Sequence, residues 1–258
     1  MDLLERRPVL ALACIVVLAG CMHERTGGPV TASIGLDYAS TSLGFRNSGA
    51  LSPGRLMLWD TAEGELVDLE RGIPMAVGST TTPTDMQARD VNGVTIAAAG
   101  GDIGRAANGQ IRAAVSRDLE IIVREVATRT ALSQAYVARR NEDADPERAW
   151  RVADATGDPA RYHYVLLVDP VRASSEQVRF VTETGGSVGV NIVNTAQGDI
   201  SVRVPTDTQA SCAQSSGDRP ICFINAEVLK VFLNANRNLD YEPVGYSRAA
   251  LSDALRRK

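Results

Sequence analysis

Aromatic side chains make up only 5% of the 258 residues, and there are two histidines and only two lysines among 27 basic residues. Sparse aromatics argue against a platform that stacks on sugar rings. A net charge of −4 leaves no basic footprint for nucleic acid. The arginine bias reads as the mark of a GC-rich genome rather than as a binding device. No apolar run reaches the roughly 20 residues that a membrane-spanning helix needs. Gly100, Gly101 and Gly104 do not make the Gly-x-Gly-x-x-Gly spacing of a dinucleotide loop, so a turn that starts a helix is the reading there.

What is present begins at the N-terminus. Val9 to Ala19 is an apolar run of eleven residues, within the roughly 7–15 of a secretory signal core. It closes on Leu18-Ala19-Gly20-Cys21. These four residues resemble the lipobox of bacterial lipoproteins. The resemblance covers about the first 21 residues, and it says nothing of the fold of the remaining chain. It implies that residues 1–20 are a signal peptide and that Cys21 becomes the first residue. Its thiol would carry diacylglycerol, and its amino group a further acyl chain such as palmitate. Met22 at the second position implies, by the sorting preference of that class, the outer membrane. Residues 21–30, with the polar stretch HERTGGP, read as a flexible tether. His23 within it reads as a solvated residue.

The remaining 31–258 contain Cys212 and Cys222. In an oxidising compartment an even pair predicts a disulfide. The intervening AQSSGDRPI has loop chemistry. Closing it contributes about 2–3 kcal/mol in the chain-entropy view. Zinc is disfavoured, because no nearby His or Cys completes a ligand set. No cofactor is expected.

The patterning predicts one α+β domain over 31–258. Antiparallel sheets of short strands are joined by one long amphipathic helix and two or three shorter helices. TASIGLDY and TSLGF suggest a hairpin, with Leu43 and Phe45 on one face. RLMLWDT and GELVDLERGI suggest a second pair, and GVTIAAAG another strand. TTTPTDMQARDVN reads as an exposed loop. Ile111, Val115, Leu119, Ile122 and Val126 step by four, four, three and four, which predicts the long helix over 102–141. Asp145-Pro146-Glu147 predicts a short helix through Ala153. YHYVLLVDP, QVRFVTE, VGVNIVN and DISVRVP predict strands, NAEVLKVFLNANR a helix, and SRAALSDALRRK a terminal helix capped by Ser247.

GGSVG at 185–189 matches Gly-x-Ser-x-Gly, but a β-branched strand comes next where a nucleophile elbow needs a helix, and no His lies beyond Ser187. A hairpin turn is the preferred reading. Another triad order could use only His163, which lies in an apolar strand. EDAD at 142–145 lacks the Gly and closing Glu of a calcium loop. The strand-like segments fall short of the roughly 9–11 residues of a membrane-barrel strand. The expectation is therefore a lipid-anchored envelope protein, a non-catalytic binding or scaffold module for an envelope protein partner. The alternative is an envelope hydrolase using His163 or scattered carboxylates.

Overall fold

The computed structural model describes residues 30–69, 83–99, 119–128, 149–180, 191–194, 200–201, 212, 220–236 and 239–258. These residues are organised mainly as antiparallel sheet. The strands run in chain order as β1 (Val30–Gly35), β2 (Ser40–Thr41), β3 (Gly44–Arg46), β4 (Leu56–Asp60), β5 (Glu65–Asp68), β6 (Thr84–Ala88), β7 (Thr95–Ala99), β8 (Leu119–Thr128), β9 (Tyr162–Arg172), β10 (Ser175–Phe180), β11 (Asn191–Asn194), β12 (Ile200–Ser201), β13 (Ile221–Leu233) and β14 (Leu239–Pro243). Among the described residues two helices occur, α1 (Val152–Gly157) and α2 (Arg248–Arg257). One sheet has four strands in the order β12-β11-β1-β7, and the other has ten, built on the path β10-β8-β9-β13-β3-β2.

The centre is the β4-β9-β13 ribbon, and both of its faces are buried. Leu56, Leu58, Tyr164, Leu166, Leu229 and Val231 pack on one face, against Trp150, Val152 and Ala155 of the α1 region. Met57, Trp59, Val165, Leu167, Ile224 and Val228 pack on the other, against Leu251, Ala254 and Leu255 of α2. Alternation along each strand sends successive side chains to opposite cores. Buried Tyr164 donates its hydroxyl to the Trp150 carbonyl at 2.7 Å, so its one polar atom is satisfied. A third core lies over β6, β8 and β10 and includes Leu119, Ile121, Val123, Val178, Cys212 and Cys222.

Two helix expectations are overturned. The described part of the 102–141 segment is strand β8, paired with β6 and β10; residues 100–118 and 129–141 lie outside the described residues. Leu119, Ile121 and Val123 are buried at strand spacing. Then Arg124 and Glu125 are both exposed, Glu125 has φ 52°, and the pairing with β6 shifts register nearby. One extra residue at such a bulge resets the phase of a strand, and Val126 returns to the core. Ile122 is buried as well but on the opposite face of the strand. Leu119, Ile122 and Val126 of the expected stripe are thus all buried without sharing one face, and a bulged strand buried on both faces imitates a helix. NAEVLKVFLNANR is likewise no helix: its described residues to Leu233 continue β13. Val228 packs into one core and Leu229 and Val231 into the other, while Phe232 and Leu233 are exposed, so apolar residues fall on both faces and periodicity cannot tell the segment from a helix.

Smaller corrections have similar causes. β1 pairs with β7 and β11, not with the segment after it. β2 and β3 form their own hairpin, and Leu43 and Phe45 enter different cores. The loop expected around 80–92 contains strand β6. The short helix starts at Val152, after Arg151 in the left-handed region (φ 49°); Asp145 and Pro146 lie outside the described residues. The strands are also not all brief: β8, β9 and β13 have 10, 11 and 13 residues. The β4–β5 pair, β9, β10 and the terminal helix are as expected. Ser247 Oγ accepts from Ala250 N at 3.3 Å, and Arg256 and Arg257 occupy the last turn of α2, where the helix dipole favours cations.

Candidate functional site: a disulfide against a buried carboxylate

Cys212 and Cys222 are joined, with Cα atoms 4.8 Å apart, inside the usual range for the bond. Cys222 is the extra residue of a bulge on β13. Ile221 pairs with Arg172 and Phe223 with Val171, so two residues on β13 oppose one step on β9. The bulge turns the fully buried Cys222 into the third core, beside Ala173, Leu43 and Phe223. The segment that begins at this end of the disulfide is therefore strand, not the helix expected.

The neighbour of that bond is Glu176. It lies on β10 opposite Val123, in phase with buried Val178, and its side chain is 1% exposed. Arg46 of β3 reaches it: Nε donates to Oε1 at 2.7 Å. Arg46 Nη1 also donates to Asp37 Oδ1 at 2.8 Å, at the surface. Glu176 Oε2 is buried and has no hydrogen-bond partner among the described residues. Burial pushes the Glu176 carboxyl above its ordinary value, against the opposing pull of Arg46. The carboxylate and the two sulfurs lie within 4.8 Å of one another.

Sequence reading found the cysteines but neither Arg46 nor Glu176. A signal existed: in Ser175–Phe180 the acid shares the inward phase with Val178. An ionisable residue at an inward strand position demands a partner.

His163 sits on β9 opposite Trp59 and is half-buried. Burial lowers its pKa, with Lys230 acting the same way and a hydrogen bond with the Pro159 backbone opposing them. Burial in the strand thus favours its neutral form. Ser187, Cys21, His23 and residues 142–145 lie outside the described residues.

A second charged cluster closes the far end of β4. Arg161 donates to both oxygens of Asp60, at 2.9 and 2.6 Å, and Asp60 Oδ1 also accepts from Ala62 N and Glu63 N in the β4–β5 turn. The fork from Arg161 is the main reason the Asp60 carboxyl is held at about 2. Asp68 is held at about 2 in the same way, first by Arg55 and then by Lys258, which ties the chain's last residue to β5. Both pKa values are depressed on folding. Their contribution is therefore fully present above the ordinary value of 3.8 and is lost as pH falls through about 2. Urea midpoints measured down through this window should fall, and Asp60→Asn should flatten that fall. An unchanged acid limb in the variant would contradict the role given to Asp60.

No protein-family model matches the chain, and no curated protein matches its sequence. Among solved structures it is similar to a bacterial gasdermin from Bradyrhizobium tropiciagri, at 11% identity and a TM-score of 0.33, over 82% of this chain and 88% of that one. So distant a likeness carries no argument about function. No helix among the described residues is long and apolar enough to cross a membrane.

Proposed function

We propose that the chain is a lipid-anchored envelope protein whose β-rich region binds an envelope protein partner at the membrane surface, without chemistry of its own. One observation carries the reading: Leu18-Ala19-Gly20-Cys21 directly after an eleven-residue apolar run. Two or three acyl chains on Cys21 would hold the protein stably, because each buried methylene contributes about 0.8 kcal/mol and one chain alone is marginal. The Cys212–Cys222 bond adds support, since disulfides persist outside the reducing cytosol. Among the described residues β5 pairs with β4 alone, and Val67 on it is 40% exposed. An open strand edge is a surface to which a partner strand can add.

Cys21→Ser is expected to move the protein out of the detergent-soluble membrane fraction or leave it as an uncleaved precursor. The wild-type N-terminus, weighed by mass spectrometry, should be acylated Cys21. A wild-type chain that starts elsewhere and carries no lipid would sink the proposal. Crosslinking the native protein in membranes then identifies what it holds.

A further inference from the structure

The Cys212–Cys222 bond and Glu176 share one buried space, and three features of that space go together. The two sulfurs and a carboxylate oxygen lie within 4.8 Å of one another. Glu176 Oε1 is occupied by Arg46, whereas buried Oε2 makes no hydrogen bond to the described residues. Arg46 supplies a fixed positive charge on the side of the carboxylate that carries Oε1.

We propose that reduction of this disulfide creates a binding site for a thiophilic divalent cation of the Zn2+ type, with Cys212 Sγ, Cys222 Sγ and Glu176 Oε2 as its three protein ligands. Zinc accepts Cys and Glu together at about 2.3 Å to sulfur and 2.0–2.2 Å to oxygen. Tetrahedral ligands at those lengths stand roughly 3.5–3.8 Å apart, so the atoms need only small side-chain rotations once the S–S bond is gone. The charges also balance. Two thiolates and one carboxylate carry three negative charges, and the dication and the Arg46 guanidinium carry three positive. A water completes the fourth position, as at zinc sites with three protein ligands.

The reductant is a dithiol. It gives two electrons and two protons to the Cys212–Cys222 bond, which becomes two thiols, while the dithiol becomes its own disulfide. Metal binding then displaces the two thiol protons to solvent. Exchange with a small disulfide reverses the sequence: it takes two electrons from the two Cys thiolates and two protons from solvent, becomes a dithiol, and the metal leaves as the Cys212–Cys222 bond re-forms. The site is thus a redox-gated one, and it does not rest on the lipid anchor. Sequence spacing could not find it, because the third ligand comes from β10, 36 residues before Cys212.

The test uses the purified chain, reduced with dithiothreitol, freed of it anaerobically and titrated with Co2+ as the probe. The expected result is one equivalent bound, with a thiolate-to-cobalt charge-transfer band and the visible bands of four-coordinate cobalt, both erased by Zn2+. The oxidised protein and the Cys212→Ser/Cys222→Ser variant should show neither band. Glu176→Gln can still accept from Arg46 but presents an amide nitrogen where Oε2 stood. It should weaken Co2+ by more than about tenfold, since even outer-shell partners are worth 10–100-fold, and should shift the visible bands. A reduced wild-type chain without a charge-transfer band overturns the proposal. So does a Glu176→Gln titration that matches wild type, and so does a reduced chain whose β-sheet circular dichroism is lost and not restored by Co2+.

Discussion

Arg46→Met is expected to destabilise the protein by about 3–5 kcal/mol, the usual cost of leaving a buried charge without its partner. The stranded group is Glu176, whose side chain is 1% exposed and which accepts from Arg46 Nε at 2.7 Å. Asp37, the other carboxylate on Arg46, has a side chain 63% exposed and simply rehydrates. The loss should depend on pH. Glu176 already has a raised pKa in the fold because of burial, and removing Arg46 raises it further. A carboxyl with a raised folded pKa contributes most below its unfolded value, and the contribution is lost as pH rises through the folded value. The gap between wild type and variant should therefore be small near pH 4 and widen toward pH 7. Taking the difference cancels the opposite acid effect of Asp60 and Asp68. Glu176→Leu added to Arg46→Met should recover much of the stability, because a packed apolar pair needs no compensation. Urea melts of the three proteins across that range decide the matter. A single variant within about 1 kcal/mol of wild type would show that the pair carries no such weight.

The same buried pair shows where sequence reading stops. Elements with one dominant signal were legible. The terminal helix has its Ser247 cap, apolar residues at 251, 254 and 255, and arginines at its end. β9 is a long apolar run bounded by turn residues. Elements failed where two physical causes superposed. In β8 burial on both faces and a bulge at Glu125 together hid the alternation, so that Leu119, Ile122 and Val126 read as one stripe. In β13 the outward side chains found a second core under α2, so alternation of polar and apolar vanished. Neither cause is local, because a bulge and a covering helix are decided by the partner strands and layers. The candidate site divides in the same way. Cys212 and Cys222 are ten residues apart and were paired from the sequence. Arg46 and Glu176 are 130 residues apart and meet because β3 joins β13 while β10 joins β8, which pairs with β9.

Gly44→Ala is expected to cost about 3–5 kcal/mol, by adding a backbone penalty to a collision with a strand. Gly44 opens β3 with φ 112°, a conformation that L side chains rarely adopt. A Cβ there would stand 2.6 Å from the Ile224 carbonyl oxygen and 2.7 Å from its carbon, both backbone atoms of β13. Neither can turn aside as a side chain can, so β3 must lift. That would break the pairing of Phe45 with Ile224 and of Arg46 with Phe223. Arg46 would then leave Glu176, so the variant should also show the widening loss toward neutral pH expected of Arg46→Met. Gly64 supplies the control. Its φ is 66°, and the atoms nearest a Cβ there belong to the guanidinium end of Arg257, which can swing away. Gly64→Ala should cost about 1–2 kcal/mol, the penalty of the left-handed conformation alone. For a chain of this size 1 kcal/mol moves the melting temperature by about 2–4 °C. Gly44→Ala should thus melt roughly 10 °C below wild type, and Gly64→Ala only a few degrees below it. Equal losses in the two variants, or a Gly44→Ala protein whose Glu176-dependent pH response matches wild type, would show that β3 is not held against β13 through this close approach.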